Sequence, residues 1–198
     1  MPMSLHRQAS APVYGWPNAA VEWTFRHRRV TAGILIAAHV GLLLWMGRPL
    51  LCTCGDTLLW QPSGSLHSSQ HAADWYSLLH VGFGIAVALS LHWIRPRWRR
   101  RDNALVALFC STVWELVENT PAVIGLLGNA GNVAPDYYGD SLVNSLADSG
   151  FVLLGFWIGT RVTLRLGLTL IVAMELAASV AIRDGWLLVA LRLTGLVA

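Results

Sequence analysis

The sequence predicts an all-α, polytopic membrane helix bundle of about five transmembrane helices, followed by a short apolar C-terminal helix. Three observations carry that reading. Apolar residues make up 55% of the 198 positions and charged residues only 13%, against roughly 25% charged in a soluble domain. Apolar runs long enough to cross a bilayer recur along the chain and are parted by polar or Arg-rich segments. All 14 basic side chains are Arg, and they cluster beside those runs. The net charge of +3 therefore describes membrane-flanking arginines able to meet anionic lipid, not a nucleic-acid surface.

Residues 1–29 read as a cytoplasmic N-terminal tail, and 30–198 as the bundle. The tail has no signal-peptide organisation: its basic cluster Arg26-His27-Arg28-Arg29 comes late, and no A-x-A site follows the apolar run. Residues 1–13 are expected to be disordered. Tyr14, Trp16, Trp23 and Phe25 are suited to the membrane interface, where amphipathic rings collect. The first span covers 30–46 and holds His39, read as a hydrogen-bonded interior histidine. Arg48-Pro49 ends it. The loop that follows contains Cys52-Thr53-Cys54-Gly55, Trp60, and the polar run from His67 to Tyr76. A two-knuckle zinc site would need a second cysteine pair, which is missing, so Cys52 and Cys54 are assigned a local structural role, ahead of a redox or metal role, with a strained disulfide open to them if the loop faces an oxidising compartment. Cys110 sits in an apolar run as a small buried residue.

The second span is 77–94, with His80 one turn inside and Gly82 and Gly84 available for close helix approach. Five Arg fall between Arg95 and Arg101. The third span is 104–127. Glu115 sits about 16 Å along it, near mid-bilayer, where a lone charged residue costs about 2.5–3.5 kcal/mol. Glu118 shares its face. Pro121 removes an N–H, so the helix should kink or break at Asn119-Thr120, with Thr120 capping a second segment. A Gly- and Asn-rich loop from Gly128 leads to Asp136-Tyr137-Tyr138-Gly139-Asp140. The fourth span, 141–160, begins amphipathic: Asp140, Asn144 and Asp148 recur at i, i+4, i+8 beside Ser141 and Ser145, facing the bundle. The fifth span, 166–182, carries Glu175. After Arg183-Asp184-Gly185, the segment Trp186–Ala198 is too short to cross, with Arg192 reaching for headgroups.

Arginine distribution puts the N-terminus and the loops at 95–101 and 161–165 in the cytoplasm. His71, Asp74, His80, Asp136, Asp140, Asn144, Asp148, Arg183 and Asp184 then fall in the outer half, approached from mid-membrane by Glu115 and Glu118. Arg183 is expected to pair with an outer carboxylate such as Asp148.

Taken in order, Met46-Gly47-Arg48 with C-x-C-G, Ser69-Gln70-His71-x-x-Asp74-Trp75-Tyr76 with His80, Trp114-Glu115-x-x-Glu118-Asn119-Thr120-Pro121, Asp136-Tyr137-Tyr138-Gly139-Asp140-Ser141-x-x-Asn144-Ser145-x-x-Asp148, and Ile182-Arg183-Asp184 resemble a bacterial membrane family. That family is catalogued as domain of unknown function 2585, or uncharacterised protein family 0314. The resemblance runs from about residue 30 to residue 190 and implies a multi-pass inner-membrane protein without implying an activity. The family pattern continues with Asn after Arg-Asp, where this chain has Gly185-Trp186. A much shorter likeness, Glu115 and Glu118 followed by Asp140-x-x-x-Asn144, is similar to VanZ-like membrane proteins.

Three functions fit the polar set. In the first, slightly favoured, the protein is a scaffold or accessory subunit. Its acids are then protonated or hydrogen-bonded, Asn119, Glu175, Arg183, Asp184, Cys52 and Cys54 act structurally, and a membrane-protein partner or second copy binds. In the second it is a divalent-metal enzyme acting on a lipid-linked substrate. Ligands would come from His71, Asp74, His80, Glu115, Glu118, Asp140 and Asp148, and catalysis from Glu115, Glu118, Asp140, Asn144 and Asp148. In the third it is a small ion-coupled transporter using Glu115, Glu118 and Glu175. A Ser-His-Asp triad and a phosphate-binding Gly loop find no support.

Overall fold

The computed structural model describes residues 19–56, 59–61, 67–128 and 137–196. The expectations for residues 1–18, with Tyr14 and Trp16, and for Asp136 lie outside that set. The described residues form eight α-helices: α1 Ala19–Arg26, α2 Arg28–Trp45, α3 Tyr76–Ile94, α4 Arg100–Glu118, α5 Pro121–Gly128, α6 Leu142–Gly159, α7 Leu164–Ile182 and α8 Trp186–Leu193. No strand occurs among them; one isolated bridge joins Trp60 to Ala73.

Four helices, α2, α3, α6 and α7, are long and apolar enough to cross a membrane. The sequence predicts five. The difference is α4, which carries Arg100, Arg101, Asp102, Glu115 and Glu118 within 19 residues. The expected break is present: α4 stops at Glu118 and α5 starts at Pro121, with the Val123 amide donating to Thr120 Oγ1 at 3.4 Å. Ser141 caps α6 by accepting from the Asn144 amide, and Thr163 caps α7 the same way from Leu166.

Helices α3 and α6 run parallel and form the tightest seam. A Cβ on Gly84 would stand 2.0 Å from the Val152 carbonyl oxygen, and one on Gly155 would stand 2.0 Å from that of Val81. Neither position admits any side chain. Gly82, expected to share this duty, has nothing within 4 Å of its Cβ position. Phe156 and Ala88 on this seam meet Ala107 of α4 in a small apolar core. Helix α7 lies on the far side of α3, with Gly167 against Leu89 and Ile85. Its outer face exposes Leu168, Val172, Leu176 and Val180, each more than half accessible, four residues apart. An apolar stripe of that length is the surface a helix presents to lipid.

The loops before α3 and α6 are tied together. The Ser141 amide donates to the Ser69 carbonyl at 3.0 Å, Leu142 to Pro49 at 2.8 Å, and Gln70 Nε2 to the Gly139 carbonyl at 2.6 Å. Arg48 donates to the Tyr138 carbonyl. These ties hold the start of α6 beside the start of α3 and set the polar end of the bundle.

Candidate functional site

Buried acids and histidines gather where the N-terminal halves of α3 and α6 meet the C-terminal half of α4. His80 stands between two carboxylates. Its Nδ1 is 3.6 Å from Glu115 Oε1, and its Nε2 is 3.7 Å from Asp148 Oδ2. Both separations exceed the roughly 2.7–3.2 Å of an N–H···O hydrogen bond. All three residues are buried, and each offers a ligand atom within 4.8 Å of the others. Glu115 Oε1 is buried without a hydrogen-bond partner. A second group shares Glu115: Glu115, Glu118 and Asp140 also bring ligand atoms within 4.8 Å of one another.

Glu115 Oε2 belongs to a chain that crosses three helices. Ser145 Oγ donates to it at 2.7 Å, and His39 Nε2 lies 2.7 Å from that same hydroxyl. With the serine proton committed to Glu115, His39 must donate from Nε2. The interior histidine of α2 therefore belongs to the site, a role its lone position in the first span did not signal. A spacing argument could not have found it, because the contact spans 106 residues.

Asp140 is held at the mouth of the cluster. Asn119, the residue after α4, donates Nδ2 to the Asp140 carboxylate and accepts the Asp140 amide at 2.9 Å. Tyr137 donates to the other carboxylate oxygen at 3.1 Å. Burial pushes the Asp140 carboxyl up to about 7, although the Asn119 and Tyr137 hydrogen bonds favour its ionised form.

The remaining candidates fall elsewhere. Asp74 accepts the Ser69 amide at 3.0 Å and the Tyr76 amide at 2.8 Å, which ties the loop to the start of α3. Burial raises its carboxyl, and the amide hydrogen bonds oppose that. Asn144 donates to the His71 carbonyl at 2.7 Å and so anchors the loop instead of meeting the acids. The His71 imidazole turns to the thiols: its Nε2 is 3.5 Å from Cys54 Sγ, and Cys52, Cys54 and His71 form a separate cluster. Arg183 does not pair with Asp148. It adopts a left-handed conformation after α7 and is exposed. Asp184 takes the ion pair instead, with Arg192 at 3.3 Å, and accepts from Tyr76 Oη at 2.7 Å. Arg192 is thereby drawn away from the surface role expected of it. Glu175 accepts the Leu187 amide at 2.8 Å, satisfying an orphan donor in the first turn of α8.

Two cavities share the wall built by Leu79, His80, Trp114 and Trp186. One is a cleft of about 60 Å³, its wall mostly apolar but carrying the polar groups of Tyr76, Glu118, Tyr137 and Asp184. The other is an apolar groove of about 380 Å³ running past Phe83, Ala86, Ile171 and Met174. His80 borders both cavities.

Helices of this length and hydropathy, packed around a buried carboxylate–histidine cluster, define a helical membrane protein. The chain belongs to the DUF2585 family, described as proteins of unknown function, whose model matches residues 43–197. It is 37% identical to a UPF0314 protein of Paracoccus denitrificans over 144 residues, covering 72% of this chain and 74% of the relative. It is 33% identical to one of Brucella anthropi over 182 residues (92% and 88%), and 33% to one of Sphingopyxis alaskensis over 156 residues (78% and 82%). No solved structure matches. The comparisons give no support to the shorter VanZ likeness.

Proposed function

We propose that this protein is a multi-pass protein of the bacterial inner membrane that binds a divalent cation at His80, Glu115 and Asp148 and acts as an enzyme on an amphiphilic, lipid-linked substrate. In this reading α4 also crosses the bilayer, and the arginine clusters at 26–29, 95–101 and 161–165 face the cytoplasm. The cluster then lies in the outer half. The observation that carries the proposal is the imidazole of His80 with one carboxylate facing each nitrogen, at 3.6 and 3.7 Å, while Glu115 Oε1 goes unpartnered. A pair of acids held at those distances is too far for hydrogen bonding and close enough to share an ion. Typical Zn–N and Zn–O distances of about 2.0–2.2 Å put neighbouring ligands of a tetrahedral ion about 3.4 Å apart.

Mixed nitrogen and oxygen donors suit zinc, manganese or iron. When bound, such an ion supplies Lewis acidity and an activated water at neutral pH. The chain's own residues do the rest. One His80 nitrogen would serve the ion beside the Glu115 and Asp148 carboxylates, and Ser145 Oγ, donating to Glu115 Oε2 at 2.7 Å, fixes the first of these. Glu118, at the edge of the cleft, is placed to take or give a proton. The cleft receives the polar end of the substrate and the groove receives its acyl or polyprenyl end, which brings the linkage between them to His80. A scaffold role accounts less well for this arrangement. Packing alone gives no reason to bring Asp148 with His80, and Glu118 with Asp140, each within 4.8 Å of Glu115.

The test is metal content of detergent-purified protein. Wild type should hold close to one zinc, manganese or iron per chain at the carboxylate centre, and Glu115→Gln or Asp148→Asn should lose it while keeping the helical circular dichroism. A folded wild type that takes up no such metal after reconstitution sinks the proposal.

A second reading rests on the His39–Ser145–Glu115 hydrogen bonds, beyond which His80 and Asp148 follow at separations of 3.6 and 3.7 Å. Such a file of groups suits proton passage in an ion-coupled carrier. Reconstituted vesicles showing a His39-dependent proton flux would favour it over the enzyme.

A further inference from the structure

Outside the carboxylate centre, the loop between α2 and α3 builds a second cluster of a different chemical kind. Cys52 Sγ and Cys54 Sγ stand 2.6 Å apart, so an ion at about 2.3 Å from each would spread them to about 3.8 Å, and His71 Nε2 lies 3.5 Å from Cys54 Sγ. All three ligand atoms fall within 4.8 Å of one another. The backbone is wound around the sulfurs. The Cys54 amide donates to Cys52 Sγ at 3.4 Å, and the Asp56 amide donates to Cys54 Sγ at 3.4 Å. Burial and the neighbouring Cys54 side chain push the Cys52 thiol up, and the amide aimed at its sulfur works against them, toward the thiolate that binds metal. Gly55 makes this turn possible. Its φ of +82° lies in the left-handed region, while nothing stands within 4 Å of its Cβ position, so the glycine answers to conformation and not to space. His71 is buried, and its own carbonyl is fixed by Asn144 Nδ2 at 2.7 Å. The imidazole therefore belongs to a braced segment, and His67 packs against it with ring centroids 6.5 Å apart.

We infer that Cys52, Cys54 and His71 form a soft-metal site that takes one Cu(I) or Zn(II) ion, distinct from the carboxylate centre. Two thiolates and one imidazole select thiophilic d¹⁰ ions over magnesium, calcium or manganese. Among the described residues the donor set is three. Three donors complete a trigonal Cu(I) site, whereas zinc would add a water as its fourth ligand.

The experiment uses the full chain in detergent, reduced and anaerobic, carrying Glu115→Gln and Asp148→Asn so that no ion is counted at the carboxylate centre. Cu(I) and Zn(II) are titrated separately against a chromophoric competitor, and X-ray absorption reports the ligand set. The expected result is one ion per chain with two sulfur ligands and at least one nitrogen. Cys52→Ser, Cys54→Ser and His71→Gln should each weaken binding by more than the factor of about 100 that outer-shell partners alone can carry, and Cys110→Ser should leave it unchanged. Because His71 is buried, the half-exposed Cys52 variant keeps the test valid should His71→Gln unfold. Failure of the reduced protein to bind either ion overturns the inference. So does binding that survives Cys52→Ser, or a purified chain whose two thiols have closed to a disulfide and resist metal under reducing titration. Loss of metal at the carboxylate centre leaves this result untouched, so the two readings stand or fall separately.

Discussion

The two ends of the α3–α6 seam obey opposite rules. Toward the C-terminal ends, Gly84 and Gly155 let the backbones touch, and Ala88, Ala107 and Phe156 close the contact with apolar atoms. Toward the N-terminal ends, the same two helices bury Ser77, His80, Asn144, Ser145 and Asp148. The first end is explained by packing alone. Small residues let helices approach, and dispersion does the rest where lipid offers no hydrophobic drive. The second end is the costly one. Buried polar groups are normally paired, yet Glu115 Oε1 and Asn144 Oδ1 are not. Stability of the bundle and the purpose of the cluster are therefore separable properties, residing in different turns of the same helices.

The sharpest way to break the contrast is Gly155→Val. Overpacking costs about 1–3 kcal/mol when side chains can adjust, and here a backbone carbonyl stands 2.0 Å from the new Cβ. Loss of a monodisperse, folded species on size-exclusion chromatography is expected. Glu115→Gln should do the reverse. Metal at the carboxylate centre should fall to background, while the thermal midpoint of metal-free protein holds or rises because one acid of a crowded buried set is gone. An apo midpoint that drops as far as in Gly155→Val would show that the cluster is packing after all.

Titration separates the ends further. The Asp140 carboxyl lies at about 7 in the fold against an ordinary value of 3.8. The folded state thus holds its proton more tightly than the unfolded chain. Its contribution to stability is complete below about 3.8 and is lost as pH rises through about 7. Thermal midpoints measured in chelator should decline between pH 5 and 7.5 and flatten in Asp140→Asn. Added zinc or manganese should restore the wild type most strongly at the upper end of that range, where an ionised Asp140 close to Glu115 adds negative charge beside the cation. Tyr76→Phe removes the hydrogen bond to Asp184, for a loss of about 1–3 kcal/mol read by chemical denaturation. Gly82→Ala is the mildest change, expected within about 0.5 kcal/mol because nothing lies near the added methyl.

Legibility in the sequence followed the range of the interaction. The break at Asn119-Thr120 was visible because proline acts on its own helix. The Asp140, Asn144, Asp148 stripe was visible because 3.6-residue periodicity is local, and Asn144 and Asp148 are indeed buried. Charge told less. Arg183 and Arg192 are equally basic in the sequence, but the left-handed turn at Arg183 sends that side chain outward and leaves Asp184 to Arg192. His71 is four residues from His67 and seventeen from Cys54, and only the folding back of the loop decides that its partners are thiols. His39 joined the site through a serine four helices later in the chain. Glu175 looked like a mid-membrane acid until α8 folded back to give it an amide to accept.

The wall shared by the cleft and the apolar groove has a kinetic meaning. On the proposed reading, a ligand that reaches His80 along Phe83, Ala86, Ile171 and Met174 would arrive by diffusion within a two-dimensional sheet, not from bulk solution. Its encounter rate then scales with surface mole fraction. Diluting the protein in buffer at a fixed lipid ratio should leave occupancy unchanged, whereas diluting it with inert lipid or detergent should lower it in proportion.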